Sequence, residues 1–127
     1  MVGKKILIVE DDAMSRKLAR DVLQAHGYET EEVTNGEEAV AKAIEMKPDL
    51  IVMDIRLPGI DGLEVTRRLK SDACTERIPI IAVTAHAMPG DEEQTLEAGC
   101  QAYLPKPIRF MEFVSTVKSL LGDTKIT

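Results

Sequence analysis

The sequence predicts an open α/β fold in which five parallel strands form one sheet with helices on both faces. Three observations predict it. Short apolar runs alternate with helix-period patterns from one end of the chain to the other. Several of the runs are Val- and Ile-rich without polar alternation, as strands buried on both faces are. The chain has 127 residues, about half of what a closed eight-fold barrel requires, and no linker or low-complexity tract divides it.

The first strand is KILIVE, 5–10. Asp12 caps the next helix, where Met14, Leu18 and Val22 recur every four residues, with Leu23 alongside, and Gly27 stops it. His26 stands before that glycine, a capping position rather than a chemical one. YETEEVT, 28–34, is a more polar strand and belongs nearer an edge. Asn35 and Gly36 open a second helix with Ala39, Val40, Ala43 and Ile44 inward, ended before Pro48. A third strand, 49–54, closes on the carboxylate of Asp54. Asp61 and Gly62 introduce a helix with Leu63, Val65 and Leu69 on one face. IPIIAVT, 78–84, is the fourth strand. A weakly apolar helix over about 90–98 closes at Gly99, AYLP, 102–105, is the fifth strand, and the last helix, about 108–121, aligns Ile108, Phe113, Val117, Leu120 and Leu121.

Composition narrows the function classes. Hydrophobic residues make up 44% and charged residues 30%, a globular balance rather than a disordered one. The net charge of −6 disfavours nucleic acid and acidic membranes as partners. No apolar run approaches the roughly 18 residues of a membrane span, and MVGKKILIVEDD turns acidic too early for a secretory signal. Cys74 and Cys100 fall in no metal or redox spacing, so free thiols in the cytoplasm are expected.

The polar residues carry the functional signal. In open parallel sheets, sites form at the carboxyl ends of strands where strand order reverses. Here the first strand ends in Glu10, Asp11 and Asp12, the third in Asp54, the fourth in Thr84 and the fifth in Lys106. Each has an ordinary explanation alone: a cap, a β-former, a solvated lysine. Together they converge on one rim. Two carboxylates ~5 Å apart at an effective dielectric near 20 repel by about 3 kcal/mol, so this rim calls for a cation beyond the Lys106 ammonium. An all-oxygen cluster suits a hard divalent ion, Mg²⁺ foremost. Such an ion admits a phosphoryl group, to whose oxygens Lys106 and Thr84 can donate.

ILIVEDD, DLIVMDIRLPGIDGLEV, IPIIAVTAHA and AYLPKPI, in that order, resemble the receiver domain of two-component response regulators. The likeness runs from about residue 4 to residue 122 and is strongest toward single-domain cell-cycle regulators of the DivK type and the receivers of hybrid histidine kinases. It implies a (βα)5 flavodoxin-like receiver fold in one domain. It implies that Asp54 accepts a phosphoryl group from the phosphohistidine of a histidine kinase or histidine phosphotransfer protein, with Mg²⁺ or Mn²⁺ as cofactor. Asp11 and Asp54 would bind the metal with the backbone carbonyl of Arg56, and Glu10 would act through water. Asp12 matches a variable position and is not counted as a ligand. Thr84 and Tyr103 match the switch pair, and Lys106 the site lysine, followed by a cis bond to Pro107.

The switch so implied moves Thr84 toward the phosphoryl group and turns Tyr103 inward. A downstream protein would then read the face formed by the helix over 90–98, strand five and the last helix. Arg56 and His86, large groups at the mouth of the site, are expected to tune the lifetime of the phosphoaspartate. Three rivals remain. A flavin carrier needs a phosphate cradle where EDDAMSR places acids. An Mg²⁺-dependent aspartyl-phosphate phosphatase wants an acid where Arg56 stands. A receiver serving as a constitutive adaptor would keep the fold without the switch. Met1 and the short tail after Gly122 favour a stand-alone protein.

Overall fold

Strands and helices alternate in the predicted order. The computed structural model describes residues 4–57, 59–85 and 90–122. Along them run β1 (Lys5–Val9), α1 (Ala13–Ala25), β2 (Glu29–Val33), α2 (Gly36–Met46), β3 (Leu50–Asp54), α3 (Gly62–Lys70), β4 (Ile80–Thr84), α4 (Asp91–Ala98), β5 (Ala102–Pro105) and α5 (Phe110–Leu121). Observed ends differ from expected ones by up to two residues. Caps set several of them: Asp12 Oδ2 accepts from the Ser15 N–H at 2.8 Å, Asn35 Oδ1 from Glu38 at 2.9 Å and Asp61 Oδ1 from Glu64 at 2.9 Å. His26 is the C-cap residue of α1, as expected.

The sheet order is β2-β1-β3-β4-β5, with every neighbouring pair parallel. Pleat alternation divides the apolar residues into two cores. Ile6, Ile8, Leu50, Val52, Ile81 and Val83 face Ala19 and Leu23 of α1 and Phe113 and Val117 of α5. Leu7, Val9, Ile51, Met53, Ile80 and Ala82 face Ala39 and Ala43 of α2 and Val65 and Leu69 of α3. Phe113 is fully buried, a burial that contributes about 2–3 kcal/mol. β2 lies at an edge, and its polar pattern has one side in solvent.

The structure corrects part of the expected packing. Met14 is 66% exposed, Leu18 43% and Ile44 40%. A stripe repeated every fourth residue drifts round a helix of 3.6 residues per turn. The buried line of α1 therefore runs through Ala19 and Leu23, with Val22 half-buried. Met14 and Leu18 are left outside, Leu18 sharing a groove with exposed Phe110 of α5.

Strand order reverses between β1 and β3, which pair with Val9 opposite Met53. The next residues, Glu10 and Asp54, therefore emerge side by side at the switch point, where ligands gather in such sheets.

Candidate functional site

Glu10 and Asp54 are 4% and 3% exposed, too buried to be solvated surface acids. Lys106 reaches between them from the end of β5, its Nζ 2.6 Å from Glu10 Oε1 and 3.4 Å from Asp54 Oδ2. Backbone ties fix this lysine, since its N–H donates to the Thr84 carbonyl at 2.7 Å. The Lys106–Pro107 peptide is cis, as the resemblance implied. Asp11 is exposed beside them. One ligand atom from each of Glu10, Asp11 and Asp54 lies within 4.8 Å of the others. Asp12 turns away to cap α1.

The electrostatics follow from burial. Burial, then the hydrogen bond with Asp54, raises the Glu10 carboxyl from 4.5 to about 7, against the lowering effect of Lys106. Burial works against the charge on Lys106, but the Glu10 hydrogen bond and the nearby carboxylates outweigh it and hold its pKa above the ordinary range. A donor set of carboxylates alone, with like charges in contact, fits a hard divalent cation in the Mg²⁺ class. The group would be held by Asp11 and Asp54, with Glu10 behind them.

The loop after Asp54 folds tightly against the strand end. The Gly62 N–H donates to the Ile55 carbonyl at 3.0 Å. A Cβ on Gly62 would stand 2.5 Å from the Asp54 carbonyl oxygen and 2.7 Å from Ile55 Cα, so only glycine fits without displacing the loop. The Arg56 N–H donates to Asp54 Oδ1 at 3.0 Å, orienting the carboxylate.

A cleft of about 530 Å³ opens beside Asp11, lined by Arg56, Asp61, Thr84, Asp91, Thr95 and Tyr103 among others. Thr84 is 1% exposed at the end of β4. Tyr103 sits opposite Ala82 in register and packs its ring on the α2–α3 core. Its hydroxyl is buried without a hydrogen-bond partner among the described residues. Burial, then the charges of Asp91 and Glu92, pushes the phenol pKa up. Tyr103 as a whole is half-buried on the wall of the cleft.

Among the described site residues, Glu10, Asp11, Asp54 and Lys106 meet at one rim. Arg56, Thr84 and Tyr103 line the adjoining cleft. His86 lies outside the described residues. The sequence reading missed Asp61, Asp91 and Thr95, although the first turns of helices facing the rim are where such groups could be sought. Cys74 and Cys100 are free, the first exposed and the second buried. No helix among the described residues is long and apolar enough to cross a membrane.

Comparison with known proteins agrees with this geometry. The response regulator receiver domain model matches residues 6–118. The polar-differentiation response regulator DivK of Brucella anthropi is 53% identical over 120 residues, covering 94% of this chain and 98% of that protein. The receiver domain of a sensor histidine kinase from Pseudomonas aeruginosa, solved with a magnesium ion coordinated in its active-site cleft, superposes with a TM-score of 0.88 at 38% identity over 94% of this chain and 98% of its own. A chemotaxis protein of Vibrio cholerae gives a TM-score of 0.87 at 27% identity, over 93% of this chain and 98% of its own. With the strand order, the acidic rim and these relatives in agreement, the chain belongs to the response regulator receiver domain family of two-component signalling.

Proposed function

We propose that this receiver takes a phosphoryl group from a partner's phosphohistidine onto Asp54, with Mg²⁺ or Mn²⁺ in the acidic rim, and thereby changes a surface read by a second protein. The observation that carries this reading is the meeting of two buried acids, an exposed third and one ammonium at the switch point of the sheet. An Asp54 carboxylate oxygen attacks phosphorus in line while the P–N bond of the donor breaks, and the imidazole leaves with its electron pair. The product on this chain is an acyl phosphate. Positioning and charge stabilisation do most of the work in such transfers.

Asp11, Asp54 and the Arg56 carbonyl are the residues to hold the metal, with Glu10 acting through water. When bound, the ion neutralises charge on the phosphoryl oxygens and on the rim. Lys106, now closer to Glu10 than to Asp54, can redirect its ammonium toward the incoming oxygens. Thr84 supplies a hydroxyl, a contact with the charged group worth roughly 1.5–3 kcal/mol. That bias shifts a two-state equilibrium by about one to two decades.

Two surfaces support the choice of partners. Exposed Leu18 and Phe110 line a groove that includes Lys106 and Ile108, an apolar seat for a histidine kinase or phosphotransfer protein. On the other side, α4 shows Glu92, Glu93, Glu97 and Leu96 to solvent, and with β5 and α5 forms the face for a downstream target. Arg56 and His86 are assigned control of water access to the phosphoaspartate. Arg56→Ala should change the dephosphorylation rate several-fold, and an unchanged rate rejects that role.

The deciding experiment is incubation with acetyl phosphate and Mg²⁺ followed by intact mass. One added phosphoryl group is expected, lost in Asp54→Asn and lost when the metal is chelated. Steady turnover of small phosphoesters instead would indicate a phosphatase. The alternative, a constitutive adaptor that keeps the fold without the switch, makes the opposite prediction. It prevails if NMR signals of α4, β5 and α5 stay unmoved on full phosphorylation.

A further inference from the structure

We infer that Arg16 is a positioning residue for the acidic rim, a strap that fixes the backbone of Glu10 and Asp11 from behind. The inference rests on the proposed reading of the rim as a divalent-cation site and deepens it. Arg16 Nη1 donates to the Glu10 carbonyl at 3.1 Å and, more weakly, to the Asp11 carbonyl at 3.5 Å. The same guanidinium donates through Nε to Glu32 Oε1 at 3.2 Å. Glu32 stands one residue before Val33, whose carbonyl accepts from the Glu10 N–H at 3.1 Å. One side chain on the first turns of α1 therefore joins the end of β2 to both peptide carbonyls that precede and follow the Asp11 N–H.

The side chains of Arg16 and Glu32 are 22% and 26% exposed, half-buried rather than waving in solvent. An ordinary surface ion pair would stop at Glu32. Here Glu32 is shared with Arg20, whose Nη1 lies 3.4 Å from Oε2 and whose Nε bonds Asp21 rather than a rim carbonyl. The two arginines thus separate charge from strap. A planar guanidinium can hold Glu32 and the carbonyls in one fixed fork, which an ammonium cannot do. Holding ligands to within about half an ångström is what gives a metal site its affinity.

The sign of the effect decides the question. By Coulomb's law, removing a cation near three carboxylates should tighten binding of Mg²⁺. Loss of the strap should weaken it. The test is calorimetric titration of the full chain with Mg²⁺ alone, with circular dichroism to confirm folding of each variant. Arg16→Ala should weaken binding by about tenfold, the lower end for loss of an outer-shell partner. Arg16→Lys keeps the charge and should still lose roughly threefold, since one ammonium cannot span the fork. Arg20→Ala, the charge control, should stay within about twofold of the parent.

Should Arg16→Ala not fold, Arg16→Lys carries the decision. Parent-like or tighter Mg²⁺ binding in the Arg16 variants, or an equal loss in Arg20→Ala, overturns the strap while leaving the proposed function standing. A parent chain that binds no Mg²⁺ removes the functional reading and the strap with it.

Discussion

The two ends of one sheet treat their polar groups in opposite ways. At the amino end, side chains pair directly with backbone groups. Asp49 Oδ2 accepts from the Lys5 N–H at 2.8 Å and Gln101 Oε1 from the Ile80 N–H at 2.7 Å, while Lys70 Nζ donates to the Ile78 carbonyl at 2.6 Å. At the carboxyl end, Glu10 and Asp54 are buried against each other with a single ammonium between them. The first arrangement is what folding favours, because buried polar groups find partners. The second stores repulsion that a bound cation would relieve. The candidate site sits where stability alone would have chosen other residues.

The sharpest way to break this comparison is through Glu10. Its carboxyl is raised from 4.5 to about 7, so the folded chain holds that proton more tightly than the unfolded chain. The stabilising contribution of the protonated group is complete below about pH 4.5 and is lost as pH rises through about 7. Across that window the metal-free protein should lose on the order of 3 kcal/mol from this group alone. Urea denaturation from pH 4.5 to 8 should show the loss in the parent and a flatter profile in Glu10→Gln. Identical profiles in the two proteins would mean that the carboxyl end stores no such repulsion.

A smaller effect of the same kind is expected at the phosphoacceptor. Asp54→Asn removes one of three clustered charges and should stabilise the metal-free chain by about 1–2 kcal/mol at pH 8. The same change should abolish the proposed phosphoryl uptake, so stability and activity are expected to move in opposite directions. Mg²⁺ at 100 times its dissociation constant should add about 2.7 kcal/mol to the parent and much less to Asp54→Asn. Denaturation midpoints with and without the metal measure both. A destabilised Asp54→Asn would place the carboxyl end in the same class as the amino end.

Much of this contrast was legible in the sequence, for reasons that differ by residue. Unbroken Val and Ile runs could only be doubly covered strands, and Asp54, Thr84 and Lys106 could only meet if those strands were parallel. Parity along the pleat does the rest. What was not legible depends on side-chain reach across elements. Met14 and Leu18 look like a core stripe until the buried line of α1 is seen to pass through the small Ala19. Lys106 could have favoured either acid, and only the β5 geometry brings it nearer Glu10 than Asp54. Nothing in the sequence showed that the Tyr103 hydroxyl would be buried without a partner among the described residues. Arg16 and Glu32 read as ordinary charges of a helix and an edge strand until Arg16 is seen to join Glu32 to the rim backbone.

The amino end supplies the smallest and most discriminating prediction. Gln101 grips Ile80 from both sides, donating its own N–H to the Ile80 carbonyl at 2.9 Å and accepting the Ile80 N–H on its side chain at 2.7 Å. This clamp holds the start of β4 to the turn before β5, at the far end of the sheet from Asp54. Gln101→Ala keeps the backbone half of the clamp and leaves the Ile80 N–H without its side-chain acceptor, at a cost of about 1 kcal/mol. Phosphoryl uptake from acetyl phosphate should be unchanged, because neither the rim nor the cleft loses a contact. The stability change is opposite in sign to that of Asp54→Asn, and uptake survives where Asp54→Asn is expected to lose it. If Gln101→Ala instead slowed phosphoryl uptake as much as it lowered stability, the two ends would be one coupled unit, and the division of labour between them would be wrong.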